Sequence, residues 1–331
     1  MSAFPSAEAL EVIGNFRASH HYPLNIIQDG LRKRARTITS NVLIAQRMKR
    51  LSSVTAKLTR FKTMRLSMMQ DIGGCRAVMP TVSEVRRLVT SYTKSNVKHK
   101  LHQHDDYILE PKASGYRGVH LIYRYYSDRK VTYNGLKIEV QIRSQLQHYW
   151  ATAVETVGTF TRQALKASSG DSDWLRFFTL MGAAMAHLED SQVVPGTPLD
   201  QADLQGELKH YAEKLDVVNS LNTYRATIQA LQNEAGAHYF LVVLDAPNQN
   251  VNITGYRKED FVSASKDYLE KEEDIRGSGK NAVLVSADST AQLERAYPNY
   301  FLDTHKFVEV LKKAIGGHRF IQPELFQPEL F

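Results

Sequence analysis

Three short segments concentrate the side chains that hold phosphate groups and a hard cation. In Asp71-Ile72-Gly73-Gly74-Cys75-Arg76 a carboxylate enters a strand-like run and an arginine follows five residues on. That spacing sets a Mg²⁺ ligand beside a phosphate ligand; an acidic turn residue with a structural arginine gives the same pattern. The second segment runs from Asp106 to His120. Pro111 and Gly115 frame a tight loop, to which Lys112, Arg117 and His120 bring cationic or donor groups and Tyr116 a planar face for a base. An ordinary hairpin with an exposed tyrosine is the plainer reading. The third is Lys137-Ile138-Glu139-Val140-Gln141-Ile142-Arg143. Strand alternation puts Glu139, Gln141 and Arg143 on one face, opposite three apolar residues, as the floor of a site would require. There Glu139 could bind a metal or take a proton from an attacking hydroxyl, and a solvent-facing strand with a salt bridge is the alternative.

Neither GxxxxGK[ST] nor GxGxxG occurs, so phosphate chemistry here needs another solution. Charge supplies one. Residues 1–199 carry 28 Lys and Arg against 15 Asp and Glu, a net of +13, whereas residues 200–331 carry 14 against 20, a net of −6. From Gly30 to Gln70 there is no acidic residue among Arg32, Lys33, Arg34, Arg36, Arg47, Lys49, Arg50, Lys57, Arg60, Lys62 and Arg65. An unbroken positive field of that length suits a polyanion, or attraction to the acidic half of the chain.

The elements that must position these groups follow from periodicity. Residues 6–65 read mostly as helix, then GGCRAVMP as a buried strand ended by proline, and Thr81–Lys94 as a helix capped by Thr81 or Ser83. DYILE, GVHLIYRYY and LKIEVQIR read as strands, the last two joined by an Asn134-Gly135 turn. Helices are expected over QLQHYWATAVETVG and WLRFFTLMGAAMAHLED, with a loop over Lys166–Asp173 between them. The Pro- and Gly-containing Ser191–Asp200 stretch marks a boundary, giving domains 1–195 and 196–331. Past it, an apolar stripe from Leu204 through Tyr224, Ile228 and Leu231 predicts a long helix or helical hairpin. A small α/β domain then alternates strands HYFLVVLD, VNITGY and NAVLVSAD with helices up to Gly316. The terminal QPELFQPELF is the one internal repeat.

The order of the three segments is more specific than any one of them. FKTMRLSMMQDIGGCRAV, DYILEPKASGYRGVH and KIEVQIRSQLQHYWA resemble the three core motifs of RelA/SpoT synthetase domains, over roughly residues 40–190. The resemblance implies an α+β fold of the nucleotidyltransferase-like kind, a mixed sheet flanked by helices. It also implies an enzyme that moves the β,γ-pyrophosphate of ATP, with Mg²⁺, onto a ribose hydroxyl, usually the 3′-OH of GDP or GTP. Arg47, Lys49, Arg50 and Lys57 would then hold ATP phosphates, Asp71 would bind Mg²⁺, and Arg76 would touch ATP. Tyr116 would stack on the acceptor base with Lys112 and His120 nearby, Glu139 would serve as Mg²⁺ ligand or base, and Gln141 would position the acceptor. Concentrated positive charge with a carboxylate cluster suits attack on a triphosphate. The hydrolase domain of the bifunctional members is not expected ahead of the motifs; His187-Leu188-Glu189-Asp190 resembles its motif only faintly, without partner His-Asp pairs.

The second half is similar to the C-terminal domain of fused toxin–antitoxin RelA/SpoT proteins of the CapRel type, a small α/β pseudo-zinc-finger domain with a YxxY motif that blocks the ATP site. Tyr297-Pro298-Asn299-Tyr300, expected between two helices, matches that motif, although two core tyrosines at helix ends would look alike. The resemblance implies pyrophosphate transfer to the 3′-CCA end of tRNA, stopping translation, autoinhibition by the chain's own C-terminal domain, and release by a phage protein such as a capsid protein. An alarmone synthetase acting on GDP or GTP, and a non-catalytic nucleotide- or tRNA-binding sensor, are the alternatives. The single cysteine, Cys75, excludes a disulfide framework and a cysteine zinc site. No apolar run approaches the roughly 20 residues that span a bilayer, so no membrane partner and a cytoplasmic location are expected.

Overall fold

A computed structural model describes residues 6–161, 165, 170–223, 227–232, 236–275, 277–287, 289–301 and 304–316. The QPELF repeat, Tyr224 and part of the expected 166–173 loop lie outside them. The chain forms two compact units whose segments alternate along the sequence. One comprises residues 1–105, 119–143 and 226–301, the other 106–118, 144–225 and 302–331. The boundary expected between residues 195 and 196 lies inside the second unit.

In chain order, helices α1 (Ala7–Ser19) and α2 (His21–Arg36) precede strand β1 (Leu43–Met48), then α3 (Leu51–Arg60), β2 (Gly73–Met79) and α4 (Val82–Thr93). The helical expectation for residues 6–65 thus fails at 43–48. There the backbone is hydrogen-bonded to strands on both sides, and tertiary pairing overrides local propensity. Thr81 caps α4 in a reciprocal box with Glu84. Strands β3 (Lys100–Asp106), β4 (Val119–Arg124) and β5 (Lys137–Ser144) follow. The strand expected at DYILE is a turn instead: the Asp106 carboxylate accepts from the backbone N–H groups of Ile108 and Leu109, both at 3.1 Å. The true strand is the preceding KLHQHDD, whose exposed polar composition carries no apolar alternation. In the 125–136 connection of β4 to β5, Gly135 takes φ +90° and donates to Tyr125 O at 2.9 Å, while Asn134 stays at φ −62°, so the pair forms a turn but not the two-residue hairpin that Asn-Gly signals.

Helices α5 (Gln145–Phe160), α6 (Ser172–Leu188), α7 (Gln201–Lys214) and α8 (Val217–Thr223) come next. The long stripe predicted through Leu231 breaks at Asp216, whose φ is +45°, and residues 227–232 form strand β6 (Thr227–Gln232). Then come β7 (Tyr239–Asp245), β8 (Asn250–Tyr256), α9 (Phe261–Asp274), β9 (Asn281–Ser286), α10 (Thr290–Ala296), α11 (Pro298–Phe301) and α12 (His305–Ile315). No described helix is long and apolar enough to cross a membrane.

The first unit is built on one mixed sheet in the order β3-β4-β5-β2-β1-β9-β7-β8-β6. Strand β1 runs antiparallel to β2 on one edge and to β9 on the other, where Gln46 lies opposite Ser286 and Arg47 opposite Val285. The C-terminal strands therefore continue the sheet that carries the motif residues. Buried Leu24, Ile27, Leu31 and Ala35 give α2 one apolar stripe. Helix α9 packs Ala264 and Tyr268, four residues apart, on Leu241 and Val243 of β7 and Leu284 of β9.

The second unit is a helical core of α5, α6, α7, α8 and α12, with α6 buried along most of its length. The segment 106–118 is tied to it at three points. Thr179 Oγ1 donates to Ala113 O at 3.2 Å, Arg117 pairs with Glu189 at 2.9 Å, and Gly115, at φ +90°, lies directly against Gly182. A Cβ on Gly182 would stand 2.7 Å from Gly115 O. Gly182→Ala should therefore force backbone apart and lower stability by about 1–3 kcal/mol, read as a Tm drop of several degrees in thermal unfolding.

Candidate active site

The described residues of the first unit place most of the expected site residues on one face of the sheet. Strand β5 alternates as predicted, with Ile138, Val140 and Ile142 fully buried behind and Glu139 and Gln141 half-buried in front. Glycine at 74, on the adjacent β2, leaves the carboxylate open: a Cβ there would stand 3.6 Å from Glu139 Oε2. His120 Nδ1 donates to Glu139 Oε1 at 2.9 Å and Gln141 Nε2 to Glu139 Oε2 at 2.8 Å. Gln141 Oε1 in turn accepts from Arg143 Nη2 at 2.8 Å and Arg76 Nε at 3.4 Å. Burial opposes a charge on Glu139, yet the donors from His120 and Gln141 and the Arg143 charge prevail, and its carboxyl drops from the ordinary 4.5 to about 2.

Asp71 stands just before β2. Its Oδ2 accepts from Lys49 Nζ at 2.6 Å and its Oδ1 from Lys57 Nζ at 3.3 Å. Burial again works against the charge, but the two lysines hold the carboxyl below its usual value, with Glu139 acting in the opposite sense. Asp71 and Glu139 are therefore two ionised carboxylates close enough to feel each other. Such a pair of hard oxygen donors fits Mg²⁺, which takes one or two protein carboxylates together with substrate phosphates. Cys75 is buried, and burial, helped by the Glu139 charge, pushes its thiol up, which removes it as a nucleophile.

Arg47 and Arg76 share this face of the sheet, because the β1–β2 register sets Arg47 opposite Gly74 and Ala45 opposite Arg76. Both charges act on the phenol of Tyr297. Tyr297, the residue after α10, is 2% exposed, and its hydroxyl donates to the backbone carbonyl of Gln46 at 2.5 Å. Tyr300, placed in a loop by the sequence, lies in the short helix α11 and is equally buried, 6.4 Å from Tyr297 ring to ring. Arg50 stands apart from the carboxylates: its Nη1 bonds Asn281 Oδ1 at the start of β9.

In the second unit Tyr116 and Lys112 come together. Lys112 Nζ lies 4.1 Å from the Tyr107 ring centroid and 5.5 Å from that of Tyr116. Arg117 does not join them as a phosphate ligand. It is 3% exposed and engaged by Glu189 and by Ser191 Oγ at 2.7 Å. Glu189, from the faint hydrolase-like tetrad, also accepts from Gln147 Nε2 at 3.1 Å and has a structural role. Arg143, which strand alternation had placed on that face without a role, orients Gln141. Sequence reasoning missed one neighbour of this sheet face. Glu272 of α9 accepts from the backbone N–H of Leu51 at 2.8 Å and pairs with Arg17 at 3.2 Å, and no motif signals it.

Residues 46–160 match the sequence family described as the region found in RelA / SpoT proteins, a span that includes Asp71, Arg76, His120, Glu139 and Gln141. The match covers about a third of the chain. It is 29% identical over 111 residues to the GTP pyrophosphokinase YjbM of Bacillus subtilis, an alignment covering 33% of this chain and 52% of that protein. The chain thus spans about half the length of this curated relative. Two solved structures are partly similar. The Bacillus subtilis small alarmone synthetase 1 bound to its product pppGpp is 22% identical, covering 52% of this chain and 89% of that one, at a TM-score of 0.45. A GTP pyrophosphokinase family protein of Streptococcus pneumoniae is 21% identical, covering 65% and 98%, at 0.44.

The depressed Glu139 carboxyl gives the first unit a defined acid limb. Its interactions stabilise the fold fully above pH about 4.5 and are lost as pH falls towards about 2. Glu139→Gln should flatten that limb, removing on the order of 3 kcal/mol of pH-dependent stability. Tm measured between pH 6 and 2 for both proteins checks it.

Proposed function

We propose that this chain is an ATP-dependent pyrophosphokinase of the RelA/SpoT type that uses Mg²⁺ and is held inactive by its own C-terminal segment. The observation that carries the reading is the paired, ionised Asp71 and Glu139 beside Lys49, Lys57, Arg47 and Arg76 on one sheet face. Phosphoryl-type transfer is mainly a matter of positioning and charge stabilisation, and this face supplies fixed cations around two carboxylates. Mg²⁺ held by Asp71 and Glu139 would neutralise charge on the triphosphate. A Glu139 carboxyl near 2 is a poor proton acceptor at neutral pH, which favours the ligand role over the base. Gln141, fixed from both sides by Glu139 and the two arginines, orients the acceptor.

Restraint is supported by where the cations are engaged. Lys49 and Lys57 are held by Asp71, Arg50 by Asn281, and Tyr297 lies in the field of Arg47 and Arg76. A releasing partner, a phage protein in the reading favoured here, would have to displace Tyr297 from Gln46 and Glu272 from Leu51.

The acceptor we favour is the terminal ribose of tRNA. Arg60, Lys62 and Arg65 are all exposed after α3, where polyanion binding needs them. A guanine nucleotide is the second reading, favoured by the likeness to a GTP pyrophosphokinase. Full-length parent and Tyr297→Phe protein, with γ-labelled ATP and Mg²⁺, offered deacylated tRNA, GDP or GTP separately, test both: label on tRNA alone supports the first, label on GDP or GTP the second, and no transfer by either protein to any acceptor sinks the enzyme. Glu139→Gln should abolish transfer while the circular dichroism spectrum stays that of the parent. Tyr297→Phe keeps the ring and removes the hydrogen bond to Gln46. Turnover should rise about tenfold, the shift expected when the closed state gives up a hydrogen bond worth roughly 1.4 kcal/mol; unchanged turnover counts against restraint through this hydroxyl.

A further inference from the structure

On the catalytic face, β4 and β5 form a ladder with His120 opposite Gln141, Ile122 opposite Glu139 and Arg124 opposite Lys137. Strand alternation turns all six side chains to the same side. The third rung sets two cations directly across from each other in an antiparallel pair, an arrangement that destabilises a sheet. A third basic group faces them: His102, exposed on the neighbouring strand β3, feels the charges of both Arg124 and Lys137. Among the described residues no carboxylate pairs with Arg124 or Lys137, and the one polar contact of Lys137 is a 3.5 Å approach to the carbonyl of Met68. A repulsive cluster two strand residues from Glu139, roughly 7 Å along the chain, is stabilised once an anion sits over it.

The geometry points to Arg124, Lys137 and His102 as an anion subsite that holds a phosphate of the pyrophosphate acceptor beside Glu139. The inference rests on the pyrophosphokinase reading and adds the group by which the acceptor is held. Two sources share the chemistry: a phosphodiester of a nucleic-acid acceptor, or the 5′-diphosphate of a nucleotide. Two pairings of cation with phosphate oxygen, with the His102 imidazole as a further donor, would also set the direction in which the acceptor's ribose enters, because the subsite lies to one side of Glu139 along β5.

Equilibrium binding to the full chain tests it without turnover, using GDP and deacylated tRNA as probes for the parent and Arg124→Gln/Lys137→Gln. The double variant should bind the recognised acceptor at least tenfold more weakly while binding ATP as the parent does. With tRNA the slope of log Kd against log salt should fall by about 1 to 2, one for each phosphate that the variant no longer neutralises. A loss confined to GDP identifies the nucleotide diphosphate as the bound group, and a loss confined to tRNA identifies the backbone. Thermal unfolding is the second readout: removing a like-charge pair leaves Tm unchanged or raises it. Equal affinities of both proteins for both probes, no binding of either probe to the parent, an equal loss of ATP affinity, or a lowered Tm would each overturn the subsite. Absence of pyrophosphate transfer by both the parent and Tyr297→Phe would sink the enzymatic reading and leave these binding results to decide the subsite alone.

Discussion

Strand β1 has both edges paired, and most of the first unit follows from that double engagement. Its β2 edge sets Arg47 beside Gly74 and its lower end beside Asp71, through the bond from Lys49 N to Ile72 O at 2.8 Å. Its β9 edge ties the same strand to a segment more than 230 positions later in the chain. A strand with one free edge would be a template for any other chain. Here the second edge is closed from within by the segment that carries Tyr297. The Gln46 carbonyl that receives the Tyr297 hydroxyl sits on this strand, as does the arginine whose charge acts on that phenol. In the proposed reading, regulation and phosphate binding would share one piece of backbone, and a change at one would reach the other without a conformational relay.

How the sequence conveyed this depends on the kind of signal. Period-two alternation in β5 located Glu139 and Gln141 on one face, and the structure keeps them there. The Asn-Gly turn, the Thr81 cap and the order of strands and helices beyond residue 239 were equally readable, because each rests on neighbours within a few residues. What was not readable came from distant pairing. Residues 43–48 join two strands far apart in sequence, and the polar β3 is extended because it lies at a sheet edge beside β4. The apolar stripe after residue 204 gave no warning that residues 227–232 pair in parallel with β8.

The site was legible in type more than in use. Residue identities marked Asp71, Glu139, Arg76 and His120, yet nothing in the sequence separated Arg117 from them. Only burial against Glu189 does so, making it a clamp that fixes the 106–118 segment. A buried arginine of this kind destabilises strongly when its partner is removed, since a desolvated charge is left behind. The same chemical group thus has opposite meanings in the two units: shielded and matched in one, half-buried beside carboxylates in the other.

Charge matching separates structure from function across the first unit. Glu272 meets Arg17 and the N-terminus of α3, where an anion is favoured, so that cluster is complete in itself. Asp71 is likewise matched by Lys49 and Lys57. Each of these sets would have to be opened before a triphosphate could take the lysines, and the carboxylate left behind then gains a reason to hold a divalent cation. In the proposed reading, the negative charge of the substrate and the positive charge of its metal would replace, in one exchange, the Asp71 ion pairs that the protein makes alone. Such an exchange would keep the local charge nearly constant, so that a site this crowded with ionised groups would tolerate both states.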